Sequence, residues 1–130
     1  MEHEQATVDS FIRRERQEQY RLRLRSNKTR QKFMNSHFHH MRDLDERFAT
    51  RIEPRDQTPE RIYELLQNQG APERCYVISA MSDRDGEEAD LRPALEEIVG
   101  VESGTFLSCI PGKLAYFEGE EPGERYILRR

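Results

Sequence analysis

The chain has 130 residues, of which 35% are hydrophobic and 35% are charged, and its formal net charge is -4. This length suits one domain with an additional solvated segment. The sequence contains no run of about 18 apolar residues, so no membrane-spanning helix is predicted.

The first residues and the cysteines indicate the compartment. Residues 1–11 have neither the basic start nor the apolar stretch of a signal peptide, so we expect a cytoplasmic protein. Cys75 and Cys109 are too few for a disulfide framework, and neither belongs to a C-x-x-C metal motif. We therefore interpret both as buried, reduced thiols, and no cofactor is predicted.

Charge is divided unevenly along the chain. Residues 13–32 hold two acidic side chains, whereas residues 53–130 hold seventeen acidic and nine basic ones. This partition predicts a basic, partly amphipathic helical arm over residues 1–53 and an acidic α+β domain over residues 54–130. The basic side chains of the arm are Arg13, Arg14, Arg16, Arg21, Arg23, Arg25, Lys28, Arg30 and Lys32.

The arm is predicted to form a long N-terminal helix or a broken helix pair, since no Pro or Gly precedes Pro54. We expect residues 1–7 to be frayed and the helix to start at Asp9 or Ser10, either of which can cap a first turn. The polar stretch 26–31 is the predicted break. Beyond it, apolar residues at helical spacing should pack on the sheet or on a second subunit: Met34, Phe38, Met41, Phe48 and Ile52.

The remaining sequence predicts an α+β domain with a mixed four-stranded sheet in βαβββ order and flanking helices. Thr58 and Pro59 are typical of a helix start, and Gly70 is typical of its end. A second amphipathic helix begins at Leu91. The first two strands are apolar on both faces and should be interior, whereas the charged last strand should be an edge. Strands are predicted at residues 75–80, 105–110, 113–118 and 125–128.

Three of the four histidines lie close together, and two of them lie near a carboxylate at helical spacing. His37, His40 and Asp43 are three residues apart, which places them on one side of a helix. Imidazole and carboxylate groups can bind a divalent metal ion, so the three residues are a candidate metal site. The alternative is that both histidines are half-buried packing residues, because no H-x-x-x-H or H-E-x-x-H motif is present.

The acidic loop after the first strand is the second candidate site. Ser79, Asp83 and Asp85 follow the strand where ligands commonly bind in sheets with a crossover helix. The alternative is a simple turn, followed by Asp90 as the cap of the next helix. No nucleophile-histidine-acid set can be assembled, so a non-enzymatic protein is favoured and no catalytic residue is predicted.

These features support three functional hypotheses. The favoured one is a small, non-catalytic interaction or regulatory protein that binds a protein partner or a second copy of itself through the arm. Its basis is the large apolar groups of the arm: Phe11, Ile12, Tyr20, Leu22 and Leu24. The second hypothesis is nucleic-acid binding through residues 13–32, and the third is a metal- or ligand-binding protein or enzyme centred on His37, His40 and Asp43.

Overall fold

The computed structural model describes residues 2–40 and 42–130, which form three layers around one antiparallel sheet. Three helices precede the sheet: α1 (Glu2–Phe11), α2 (Gln17–Arg25) and α3 (Asn27–His37). Two more follow along the chain, α4 (Pro59–Asn68) and α5 (Leu91–Ile98). The α+β class is therefore confirmed. No helix in the described residues is both long and apolar enough to cross a membrane.

The sheet has six strands, not the predicted four, and it is entirely antiparallel, not mixed. In chain order the strands are β1 (Ala49–Arg51), β2 (Arg74–Ser79), β3 (Glu88–Asp90), β4 (Thr105–Ile110), β5 (Leu114–Glu118) and β6 (Arg125–Arg129). Their spatial order is β1-β6-β5-β4-β2-β3. The four predicted strands are the contiguous central part of this sheet, and the two additional strands extend it at both edges.

Strand β3 explains why the sheet is not mixed. It pairs antiparallel with β2 through Cys75 and Ala89, and therefore reverses the chain before α5 begins. After α5, strand β4 pairs antiparallel with the other side of β2. The three-residue sequence Glu-Ala-Asp shows too little apolar alternation to be recognised as a strand.

Strand β1 replaces the end of the predicted N-terminal helix. Residues 38–40 and 42–52 are not helical beyond the short 3-10 turn Glu46–Phe48, and β1 pairs with β6 through Thr50 and Ile127. Strand β6 is consequently interior, which corrects its prediction as an edge strand. Phe38 and Ile52 are nevertheless buried, as expected from the apolar spacing, whereas Met41 lies outside the described residues.

The N-terminal segment differs from the prediction at its start and agrees at its main break. Helix α1 begins at Glu2, so residues 2–7 are helical instead of frayed and the predicted start at Asp9 or Ser10 is wrong. Helix α1 ends at Phe11, and the next residue, Ile12, forms an isolated antiparallel bridge with Leu44. The break between α2 and α3 lies at Ser26, inside the predicted stretch.

Alternating side chains of the sheet fill two apolar layers. Tyr76 and Phe106 face α1–α3, whereas Val77 and Leu107 face α4 and α5. Strands β2 and β4 are covered on both faces, as their apolar sequences predicted. Helices α1–α3 pack on the sheet through the first of these layers. The division of the chain into an arm (residues 1–53) and a domain (residues 54–130) stays a prediction.

Candidate functional site

The three residues of the predicted metal site lie near one another but have other partners. His37 is the last residue of α3, and its Nδ1 lies 3.0 Å from the carbonyl oxygen of Phe33, with the two rings stacked at 4.1 Å. Asp43 accepts a hydrogen bond from the Tyr20 hydroxyl at 2.6 Å. Among residues 2–40 and 42–130, no three His, Cys, Asp or Glu side chains form a group that could hold a metal ion.

His40 is the member of this set least suited to metal binding. Its Nδ1 accepts a hydrogen bond from the backbone N–H of Arg42 at 2.9 Å. The neutral ring therefore carries its proton on Nε2, which leaves no free lone pair for a metal ion. Partial burial, together with the nearby His39 and Arg42, lowers the pKa of His40. The fold therefore favours the neutral form of this ring.

The predicted loop site brings together two of its three members. Ser79 is buried; its hydroxyl lies 2.7 Å from that of Thr105, and its backbone N–H donates to Asp85 at 2.9 Å. Asp83 is exposed and makes none of these contacts. The histidines and this loop do not converge on a shared pocket, because the small pocket next to His37 and His40 contains no residue of the loop.

Arg30 joins this loop to the N-terminal helices. Its guanidinium makes two hydrogen bonds to Glu4 and two to Asp85, at 2.7 to 3.0 Å, and a fifth to the carbonyl oxygen of Leu24 at 3.0 Å. All five N–H donors of the guanidinium are therefore used. The Tyr76 hydroxyl adds a hydrogen bond to Glu4 at 2.7 Å. Arg30 is consequently a structural clamp with no donor left for a phosphate.

The other basic side chains of the arm fall into two groups. Arg16 and Arg21 form ion pairs with Asp43 and Asp9, at 3.5 and 3.1 Å, and Arg13 lies 4.0 Å from Glu15. The second group is exposed and makes no ion pair with any residue that the structure describes. We call this group the cationic surface; it consists of Arg14, Arg23, Arg25, Lys28 and Lys32.

Most large apolar groups of the arm are buried in the protein's own core. Phe11, Tyr20 and Leu24 are 1%, 2% and 6% exposed, and all belong to the layer between α1–α3 and the sheet. Leu22 is the exception, with 53% of its surface exposed. The apolar basis for self-association through the arm is therefore reduced to one side chain.

A cleft of about 520 Å³ lies between α1, α2, α3 and β2. The Arg30 clamp and Tyr76 line it, together with the apolar side chains of Val8 and Leu24. Arg25 and Asn27, both exposed, also line it. This size lies within the range of small-molecule binding sites. No sequence pattern predicts this cleft, because its walls come from segments up to 82 residues apart.

Glu118 is a buried charge that the sequence analysis missed. Its carboxylate accepts hydrogen bonds from the backbone N–H groups of Gly100 and Glu102, from the Tyr116 hydroxyl and from Arg125 Nε. Strand alternation offered a signal, since Glu118 lies two residues after Tyr116, which faces α4 and α5. Every observed partner is a donor, so this arrangement fixes a loop and leaves little capacity for a ligand.

The predicted site residues thus separate into three places. Ser79 and Asp85 join the Arg30 clamp, His37 and Asp43 surround Tyr20, and five of the predicted basic residues remain on the cationic surface. Comparisons with family models, curated proteins and solved structures find no match to the chain.

Proposed function

We propose that the protein is a small, non-catalytic interaction protein that binds the phosphate backbone of a nucleic acid through the cationic surface of residues 14–32. The observation that supports this function is the set of five exposed cations without ion pairs in the described structure. They lie within nineteen consecutive positions, residues 14–32. A phosphate backbone requires positive charge more than a particular side-chain geometry.

Self-association is the second candidate, and one observation favours it. Strand β3 and helix α5 carry the exposed carboxylates Glu88, Asp90 and Glu96, of which the first two pair with Arg74 at 3.8 and 3.0 Å. A second copy could place this acidic region against the cationic surface. The apolar contribution to such a contact would be small, because only Leu22 among the large apolar groups discussed above is exposed.

A charge-removal experiment tests the nucleic-acid proposal. The variant Arg23→Gln/Lys28→Gln/Lys32→Gln removes three exposed cations, and the control Arg55→Gln/Lys113→Gln/Arg129→Gln removes three exposed cations elsewhere. Both change the net charge equally. We expect fluorescence anisotropy with a labelled single strand of about 20 nucleotides to show at least a tenfold weaker affinity for the first variant at low salt.

Two results would contradict the proposal. One is an equal loss of affinity in both variants, which would indicate a response to net charge alone. The other is the absence of binding by the unmodified protein at about 20 mM salt, where backbone electrostatics are strong. Light scattering in the same buffers would identify self-association as a dimer that dissociates when salt is added.

A further inference from the structure

Cys75 and Cys109 lie opposite each other on the adjacent strands β2 and β4. The register of these strands pairs Tyr76 with Ser108, and one further step along the same register places Cys75 opposite Cys109. Both are free thiols, and both belong to the apolar layer between the sheet and helices α4 and α5. The two side chains therefore lie next to each other on the same face of the sheet.

The backbone hydrogen bonds show that this pair is of the close, non-hydrogen-bonded type. The N–H of Val77 donates to the carbonyl oxygen of Glu87, on the side of β3, and such directions alternate along a strand. Cys75, two residues before Val77, therefore also directs its backbone groups toward β3 and away from Cys109. Facing Cα atoms of such pairs are about 4.5 Å apart, which lies within the range of about 4.4 to 6.8 Å that a disulfide spans.

Two further observations support a close approach. Ser79 and Thr105 are a second pair of the same type on the same strands, and their side-chain oxygens lie 2.7 Å apart. The pairing of β4 with β5 shifts register between Ser108 and Ile110, which leaves Cys109 without a paired residue on β5. Cys109 can therefore move slightly toward β2 without breaking a pairing with β5.

We infer that Cys75 and Cys109 form an oxidation site, at which a small disulfide such as oxidised glutathione converts the two thiols into a disulfide between β2 and β4. In the first step, one cysteine thiolate attacks a sulfur of the small disulfide, whose S–S bond breaks, and one small thiolate leaves and takes up a proton. In the second step, the other cysteine thiolate attacks the protein-bound sulfur and releases the second small thiol. The cysteines lose two electrons and two protons, and the small disulfide gains them as it becomes two thiols.

Burial makes this reaction slow in the closed structure. It raises the pKa of both thiols, so the reactive thiolate is scarce at neutral pH. Exchange therefore proceeds through molecules that have opened locally, while the folded geometry determines the position of the equilibrium. The pair lies on the face of the sheet opposite α1–α3, so the inference does not depend on nucleic-acid binding.

An equilibrium with glutathione tests the inference on the full chain. Reduced native protein, and reduced protein that refolds from urea, are each incubated with oxidised and reduced glutathione until the two samples agree. Alkylation and mass spectrometry then separate the reduced protein, the internal disulfide and mixed disulfides. We expect the internal disulfide to be the main oxidised species, with an equilibrium constant at least tenfold larger in buffer than in denaturing urea, where only random loop closure brings the cysteines together.

A transposed variant is the matched control. Leu107→Cys/Cys109→Leu keeps the composition and the apolar layer, but it places the second cysteine diagonally from Cys75, with Cα atoms about 7 to 8 Å apart. In urea the two chains should oxidise equally, because the loops that their disulfides close differ by only two residues. In buffer the variant should have an equilibrium constant at least tenfold smaller, and circular dichroism reports whether it is folded.

The inference would be overturned by mixed disulfides that persist, by disulfides between molecules, or by an equilibrium constant of the unmodified protein in buffer that does not exceed its value in urea. The last comparison needs no variant, so it decides the question even if the transposed chain does not fold. Equal equilibrium constants for the unmodified protein and a folded transposed variant would also contradict the facing geometry.

Discussion

Glu118 holds the loop between α5 and β4 in place from inside the protein. The side chain is fully buried, and Arg125, its cationic partner, is 12% exposed. The loop residues Gly100 and Glu102 donate backbone N–H groups to the same carboxylate, and Glu102 has a positive φ of 59°. One carboxylate thus supports a conformation that a residue with a side chain rarely adopts.

Removing this charge should destabilise the fold. Glu118→Gln places an amide next to three N–H groups that can only donate, and leaves Arg125 with less compensation, so we expect the free energy of unfolding to fall by about 3 kcal/mol. Urea denaturation measures this change. The exposed control Glu96→Gln should stay within about 0.5 kcal/mol, and equal stability of both variants would show that Glu118 is dispensable.

The two cysteines should be unreactive in the folded protein. Cys75 is 2% exposed, and burial raises its pKa to about 12; burial also raises the pKa of Cys109. The reactive thiolate is therefore scarce at about pH 8. We expect a thiol reagent to label neither cysteine in buffer and both in urea. Rapid labelling of either one without denaturant would contradict the buried location.

His40 should make stability depend on pH in a defined window. Its pKa is lowered in the folded state, so the unfolded chain binds the proton more readily. The free energy of unfolding should therefore decrease as pH falls below about 6.5, before the carboxylates titrate. Asp43 opposes this effect, whereas His37, His39 and Arg42 add to it. His40→Gln should reduce the slope between about pH 6.5 and 5, and an unchanged slope would contradict this assignment.

At the scale of elements, the Arg30 clamp connects α1, α3 and the loop after β2. Replacing Arg30 by Gln leaves Glu4 and Asp85 close together without their shared cation, and we expect a loss of about 3 kcal/mol in the free energy of unfolding. The exposed Arg25→Gln variant is the matched control and should change stability by no more than about 0.5 kcal/mol. Equal unfolding midpoints for both variants in urea would rule out the clamp.

Elements with a strong local signal could be predicted, and those that depend on distant partners could not. Thr58 caps α4 and Pro59 begins it, as predicted, since both effects act within one turn. Strands β1 and β3 have three residues each, and their pairing with β6 and β2 determines them more than their own sequence does. The Arg30 clamp was missed for a similar reason, because its carboxylates lie 26 and 55 residues away.

At the scale of the whole molecule, the basic residues of the arm divide into those that form ion pairs and those that remain exposed. Four of the nine basic residues of the arm, Arg13, Arg16, Arg21 and Arg30, lie within 4.0 Å of a carboxylate, and Arg30 is paired twice. The remaining five are exposed side chains within residues 14–32 and form the cationic surface. The apolar residues of the arm that suggested binding to a partner instead pack α1–α3 against the sheet. Exposed charge is therefore the main property that the arm offers to a partner.

The salt dependence of nucleic-acid binding tests this account most directly. If the five cations of the cationic surface each neutralise one phosphate of a single strand, a plot of log K against log salt concentration should have a slope of roughly -3.5. The slope should become less negative by about 2 in the Arg23→Gln/Lys28→Gln/Lys32→Gln variant. A slope near zero, or no binding at low salt, would contradict the proposal that the cationic surface binds a phosphate backbone.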